Sequence, residues 1–443
     1  MIEEKNPALR AAHTLQKSLP EGGLFHEKEW RITPEPFGIS PTLADELDKL
    51  GYRLTKFVHA CNNLYHASIK GSAPPWIAQW LDAGKPETLI NIGREKILRN
   101  EIPRVLRPDL ILTEDGFTIA ELDNVPGGIG LTAWLNQQYT QLGFDILGGP
   151  EGMLQGFHKI TQEADILVSK EAETYRPEMQ WLAATLNKTI STNYRVLNAE
   201  DPADWKDRIY RFFELFDLPN IPTIQSIAKS ILNGERQITP PLKPALEEKM
   251  WFALFWMQPL EDFWSRELGQ RQFDALKKVI PFTLILNPSP LPPQAVYPRL
   301  EIQSWDTLKK ASKKDRNYVL KVSGFSEIGW GSRSVTIGSD ASQKEWSDAI
   351  DQALAAHPTQ PYILQEFRPG SIFEQPVFNP EKNSIEAMPG RVRLCPYYFL
   401  DSANEKNTSL GGALATICPP DKKLLHGMRD AILAPTYVLK IDE

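Results

Sequence analysis

The apolar positions along the chain change period several times. From Pro41 to about Lys70, Leu43, Leu47, Leu50, Leu54, Val58 and Leu64 recur mostly at steps of three and four, which predicts a long helix ended by Pro74-Pro75. Asn91 to about Ile102 predicts another helix, stopped before Pro103. From Arg107 to Asp123 the period falls to two on either side of Glu114-Asp115-Gly116, the pattern of a β-hairpin. Leu131 to Leu142 is helical again and follows a Gly-rich turn, so its N-terminus can face an anion. Ala164–Ser169 and Tyr194–Leu197 predict buried strands, with a helix over Met179–Leu186 between them. Tyr210–Leu215 is an aromatic run that suggests a core helix face. Strands alternating with helices imply a parallel α/β domain over roughly residues 145–230. Lys243–Phe255 predicts a helix with Leu246, Met250, Ala253 and Leu254 on one face. In the last third, Asn317–Lys321, Val335–Ile337 and Tyr362–Phe367 read as strands, and Gly390–Leu394 and Leu410–Ala415 as further elements of the same sheet. Residues 1–40 are polar and proline-bearing, which suggests an arm or a set of loops.

The hairpin carries chemistry whose arrangement depends on its loop. A two-residue Asp115-Gly116 loop sets Asp109 opposite Leu122, on the face away from Glu121 and Asp123. A three-residue loop with Gly116 left-handed sets Asp109 opposite Glu121 and Arg107 opposite Asp123, so that all four share one face. The second register is preferred, because Leu110, Leu112 and Leu122 then form the opposite, packed face. Three carboxylates beside one arginine repel unless a cation joins them, and hard oxygen ligands of this kind suit Mg²⁺. The simpler alternative is a solvated hairpin with scattered charges.

Composition narrows the partners. The chain has 443 residues and a net charge of −7, enough for two or three domains and with no electrostatic case for nucleic acid. Cys61, Cys395 and Cys418 lie far apart and match neither a metal spacing nor a disulfide framework, which suits a reducing compartment. The first residues, MIEEKNPALR, hold no apolar core of a secretory signal, and no run of about 18 apolar residues is present, so a cytoplasmic location with no membrane partner is expected.

A second candidate site lies late in the chain. Lys321 ends a strand before VSGFSEIGWGSRSV, where Gly324, Gly329 and Gly331 let backbone N–H groups approach an oxygen, and Ser323, Ser326 and Ser332 add hydroxyls. A lysine so placed can bind phosphate, although such a Gly-rich hairpin is more often structural, and neither a P-loop nor a dinucleotide fingerprint is present. Lys249 reads by itself as a solvated helix lysine. Arg391 and Arg393 share a strand face and suit a phosphate or a substrate carboxylate, with surface charge the equal alternative.

Together these pieces resemble the ATP-grasp superfamily. Val319-Leu-Lys321 with its Gly/Ser loop looks like that fold's lysine and phosphate loop, and Tyr362–Phe367 looks like its adenine-reading hinge strand. Glu121-Leu-Asp123-Asn-Val-Pro-Gly127 looks like the Mg²⁺-holding E-x-N-x-x-P-G of D-alanine–D-alanine ligase and its relatives, but it precedes the lysine loop here. That permuted order is similar to the glutathionylspermidine synthase family, which carries R-x-D and then E-x-N twelve residues after the Asp. Arg107-Pro-Asp109 and Glu121-Leu-Asp123 keep the spacing, with Asp123 in place of the Asn. Lys249, in KPALEEKMWFAL, loosely matches that family's helix-borne ATP lysine.

The resemblance implies an α+β or α/β chain: an ATP-grasp-like fold with permuted motifs plus a parallel, pre-ATP-grasp-like α/β domain. The implied segments are an N-terminal arm and helical region at 1–95, a metal-binding hairpin segment at 96–142, an α/β domain with the ATP-lysine helix at 143–290, and the rest of the ATP-grasp domain at 291–443. It implies an ATP- and Mg²⁺-dependent carboxylate–amine ligase working through an acyl phosphate, on a small-molecule or peptide carboxylate and an amine. Asp109, Glu121 and Asp123 would hold Mg²⁺, Lys249 and Lys321 would bind phosphates under the loop of Ser323, Gly324, Ser326, Gly329 and Gly331, and Gln365, Glu366 and Phe367 would lie near the adenosine. Arg107 would steady the transferring phosphoryl group. A kinase on the same fold and an ATP-binding protein without turnover remain the alternatives.

Overall fold

Helix-forming periodicity and helix-stopping chemistry set most boundaries. The computed structural model describes residues 6–329, 333–357, 359–401, 407–425 and 429–440. The helix Pro41–Ile69 forms as the leucine spacing predicts, and Leu47, Leu50, Leu54 and Leu64 are fully buried. The N-terminal stretch is not an arm. Asn6 caps the helix Pro7–Ser18 by accepting the Ala8 and Leu9 N–H groups at 3.0 and 3.4 Å, and Pro7 opens it. The expected helix over 91–102 is instead Glu87–Arg94 followed by a 3₁₀ turn, Lys96–Leu98.

Two compact units divide the chain: Met1–His59 with Glu95–Leu242 and Pro369–Glu443, and Ala60–Arg94 with Lys243–Arg368. The first unit holds a mixed sheet of seven strands among the described residues. Its order is Phe37–Ile39, Ile432–Val438, Thr408–Cys418, Ser384–Leu400, Val105–Thr113 and Gly116–Asp123, and Ile372–Asn379 also pairs with the long strand Ser384–Leu400. The hairpin and Ile372–Asn379 share one edge of that strand, since Arg393 lies opposite Ile111 and Arg391 opposite Ile372.

A second sheet in this unit is wholly parallel, in the order Arg195–Asn198, Asp165–Val168, Arg208–Phe212 and Gln237–Thr239. The aromatic run that begins at Tyr210 is therefore a strand as far as Phe212 and not a helix face, and Leu215 opens a 3₁₀ segment, Leu215–Asn220. Short apolar runs do not reveal their period, and here ladder pairing with Asp165–Val168 decides. The helix Ile129–Gln141 is buried on nearly every side, including Ile129, Leu131, Ala133, Trp134, Leu135 and Tyr139. It belongs to a core shared with Met179 and Leu182 of the helix Arg176–Thr189 and with Tyr397 and Leu414 of the mixed sheet.

The second unit holds an antiparallel sheet in the order Thr336–Ile337, Tyr318–Val322, Tyr362–Glu366 and Thr283–Ile285. Leu320, Val322, Tyr362 and Leu364 form its apolar face, packed on Trp346 and Ile350. Those two belong to the helix Gln343–Ala356, which opens with a Ser342–Glu345 capping box. Alternation sends Lys321 and Gln365 to the other face. The strands at 384–400 and 408–418 thus belong to the hairpin's sheet and not to the sheet of Tyr362–Glu366. Lys243–Phe255 is not one helix: a 3₁₀ turn, Pro244–Leu246, precedes the helix Met250–Trp256, and Lys249 is its N-cap. The described residues form an α+β arrangement with one mixed, one parallel and one antiparallel sheet.

Candidate functional site

The hairpin reaches the expected pairing by another route. Thr113 lies opposite Gly116, so the loop is the two residues Glu114 and Asp115, and Gly116 adopts φ of +134°. Leu112 pairs with Phe117 and Leu110 with Ile119, and the register then shifts between Asp109 and Leu110. Ala120 is the extra residue of that bulge. Beyond it Asp109 lies opposite Glu121, and Arg107 opposite Asp123. The pairing is the preferred one, but the bulge produces it and not a three-residue loop. Leu110 and Leu112 are buried on the packed face, while Leu122 is only half-buried.

On the polar face, arginines neutralise the carboxylates. Arg107 donates from Nε to Asp109 Oδ1 at 3.1 Å, from Nη2 to Asp123 Oδ2 at 2.8 Å and from Nη1 to the Gly127 carbonyl at 3.1 Å. Arg393, from the long strand, reaches Asp109 Oδ2 at 3.2 Å, and the Cys395 thiol donates to Asp109 Oδ1 at 3.4 Å. Burial, with Asp109 beside it, pushes the Cys395 thiol up to about 12, so it is no thiolate nucleophile. Burial also pushes the Asp123 carboxyl up. Glu121 and Asp109 add to this, while Arg107 and the Val125 N–H, 2.9 Å from Oδ1, oppose it.

The Gly-rich turn serves packing. Glu178 accepts the Gly128 N–H at 2.7 Å and the Leu131 N–H at 3.1 Å, so the helix N-terminus that could face an anion holds the protein's own carboxylate. Burial pushes Glu178 up to about 7 against those hydrogen bonds. A Cβ on Gly130 would stand 2.2 Å from the Glu178 carbonyl, and one on Gly127 2.2 Å from the Tyr175 ring. The Tyr397 hydroxyl donates to the Gly127 carbonyl at 2.8 Å. Tyr210, fully buried in this core, has a hydroxyl with no hydrogen-bond partner.

Three hard carboxylates on one face suit a divalent cation chemically, but their arrangement here does not. Arg107 bridges Asp109 and Asp123, and among the described residues no group of three or more His, Cys, Asp or Glu is placed to hold a metal ion.

The second unit gathers the lysines. Lys321 Nζ donates to Gln365 Oε1 at 2.9 Å, and Gln365 Nε2 donates to Thr283 Oγ1 at 3.3 Å, so the Lys321 ammonium and the Gln365 amide form a buried polar row. Lys249 donates its backbone N–H to the Ser323 carbonyl at 2.8 Å and its ammonium to the Gly329 carbonyl at 2.9 Å. The Ser326 carbonyl accepts the Gly329 N–H at 2.9 Å, which folds the loop into a turn. A Cβ on Gly324 would lie 2.6 Å from the Glu247 carbonyl, so close backbone approach demands this glycine. The backbone donors of Glu366 and Phe367 go to Phe282 and Asn317 at 2.8 and 2.9 Å, and the Glu366 side chain pairs with Arg368 at 3.4 Å. Gly331 and Ser332 lie outside the described residues.

Lys249 thus meets the loop and Lys321 meets Gln365, while Arg107 joins Asp109 to Asp123. Arg391 turns to the Gly370 carbonyl at 3.2 Å and not to the carboxylates. Sequence reasoning missed Glu178, Tyr175 and Tyr210 beside the hairpin, and Lys85 and Glu248 beside Ser323. Of these only Glu248 stands in a motif, beside Lys249, where the lysine drew the reading. A glutamate just after the helix-opening Pro177 reads as an ordinary first-turn acid.

No family model matches the sequence, and no curated protein matches it. Among solved structures, the chain is similar to a glutathione synthetase-like effector from Globodera pallida in apo form. The likeness covers 97% of each chain, with a TM-score of 0.55 and 12% sequence identity. A Methylobacillus flagellatus protein named after gamma-glutamylcysteine synthetase matches over 90% of this chain and 89% of its own, with a TM-score of 0.39 and 11% identity. The first likeness establishes a shared fold; the second is too weak to add to it.

Proposed function

We propose that the protein binds ATP and uses it to join a carboxylate to an amine. The observation that carries this reading is the lysine face: Lys321 on Gln365, and Lys249 on the carbonyl of the Gly-rich loop, present two ammonium groups beside a backbone turn, the donor set a polyphosphate requires. The shared fold with a synthetase-like effector supports the ligase class. In this reading the substrate carboxylate oxygen attacks the γ-phosphorus and ADP leaves. The amine nitrogen then attacks the acyl carbon and phosphate departs. Lys249 exchanges the Gly329 carbonyl for a phosphate oxygen, and Lys321 takes a second. Gln365, Glu366 and Phe367 line the adenosine. Magnesium accompanying ATP is expected from the resemblance.

The arginine-bound state of Asp109 favours a second reading, an ATP-binding protein without turnover. Candidate carboxylates and amines are to be screened with Mg²⁺-ATP for ADP release, with hydroxylamine added to trap an acyl phosphate. A hydroxamate product supports the ligase. A stable phosphorylated product marks a kinase, and binding without ADP release marks the non-catalytic reading.

A further inference from the structure

The strongest ionic feature of the second unit lies behind the lysines. The Lys85 and Glu248 side chains are 1% and 2% exposed and form an ion pair. Lys85 also donates to the Leu81 carbonyl at 2.6 Å, and its ammonium lies 5.5 Å from the centre of the Phe325 ring. The other Glu248 oxygen accepts the Ser323 hydroxyl. Ser323 then grips the start of the helix Met250–Trp256 twice: Oγ accepts the Met250 N–H at 2.9 Å, and the carbonyl accepts the Lys249 N–H at 2.8 Å.

We infer that Glu248 is a positioning residue for the phosphate-facing lysines, acting through Ser323, with Lys85 as its buried counter-ion. The inference rests on the nucleotide reading of this face. Glu248 precedes Lys249 in the chain, and Ser323 lies two residues beyond Lys321 on the same extended segment. The Glu248 carboxylate also lies against the start of the Gly-rich loop, since a Cβ on Gly324 would come 3.0 Å from its carboxyl carbon. One carboxylate therefore ties together the helix start bearing Lys249, the strand end bearing Lys321 and the loop between Ser323 and Gly329. Stability alone does not account for an ion pair here. Desolvating each ion costs several kcal/mol, and apolar residues of similar volume usually do as well. A charged acceptor, however, fixes a serine hydroxyl more tightly than a neutral one.

The test compares Mg²⁺-ATP binding by calorimetry with thermal unfolding for five proteins: wild type, Ser323→Ala, Ser323→Thr, the double variant Lys85→Met with Glu248→Leu, and the triple variant that adds Ser323→Ala to it. The double variant removes both charges, so no uncompensated ion is left in the interior. It is expected to melt near or above wild type, yet to bind ATP about tenfold more weakly, the size of one lost hydrogen bond to a charged group. Ser323→Ala is expected to give a similar loss, Ser323→Thr to retain wild-type affinity, and Ser323→Ala added to the double variant to cost nothing further. Wild-type affinity in Ser323→Ala or in the double variant overturns the inference, as does full additivity between them. Failure of the wild type itself to bind ATP overturns the nucleotide reading, and this inference with it.

Discussion

Arg107 and Asp123 stand opposite one another across the hairpin, and their side chains meet at 2.8 Å. The same guanidinium holds Asp109 from the neighbouring pair. The site is thus compensated from within: a fixed cation sits between Asp109 and Asp123, the place a metal ion would need.

Glu121→Gln and Leu112→Ala separate a working carboxylate from a structural hairpin. Glu121→Gln relieves repulsion with Asp123 and is expected to melt near or above wild type with ADP release retained, since Arg107 already occupies the space between the aspartates; collapse of ADP release would return the carboxylate to the magnesium role that the resemblance implies. Leu112, 2% exposed on the packed face, is expected to cost about 2–5 kcal/mol when cut to Ala, with turnover retained in the folded fraction. Melting with and without Mg²⁺-ATP, together with ADP release, measures both. Strong destabilisation by Glu121→Gln with undiminished nucleotide protection would make the carboxylates structural.

Lys321→Met addresses the lysine face. The side chain keeps its length and loses its charge. Relief from burying an ammonium offsets the lost bond to Gln365, so melting should change little. ATP affinity should fall by about tenfold or more, as for the loss of a charge-assisted phosphate contact. Unchanged affinity by titration calorimetry would remove Lys321 from the site.

Glu178 makes stability depend on pH. Its carboxyl is raised from an ordinary 4.5 to about 7, so between those values the folded state keeps a proton that the unfolded state has lost. Its contribution is complete below pH 4.5, declines as pH rises from 4.5 to 7, and is flat above. A shift of that size corresponds to about 3 kcal/mol across the window. Urea unfolding of wild type and Glu178→Gln from pH 4 to 8 isolates this term. The difference between the two curves should change over pH 4.5–7 and nowhere else; a difference independent of pH would refute the assignment.

Gly130→Ala distinguishes packing from ligand binding in the Gly-rich turn. The added methyl meets a backbone carbonyl that cannot step aside cheaply, and the expected cost is about 1–3 kcal/mol or more, felt equally with and without nucleotide. Loss of ATP affinity at unchanged melting temperature would instead return the turn to the binding site.

Local pattern alone determined a good part of this protein. Three-four leucine spacing defined the helix Pro41–Ile69, and period-two alternation defined the hairpin, because each turns an apolar face to the core. Asn6 and Pro7 carry a helix-start signal, but the polar composition of residues 1–40 suggested an arm or loops and concealed the helix Pro7–Ser18. Tertiary structure decided the rest. Tyr210 and Phe212 suit a helix as well as a strand until the ladder beside Asp165–Val168 claims them. The turn at Glu114-Asp115 by itself sets Asp109 opposite Ala120, and only the bulge restores Glu121 to its side. Arg393 and Cys395 reach Asp109 of the hairpin across 284 and 286 residues, and Glu178 reaches the Gly-rich turn across 50. No local spacing encodes such neighbours, because the sheet order and the buried helix between the layers bring them together.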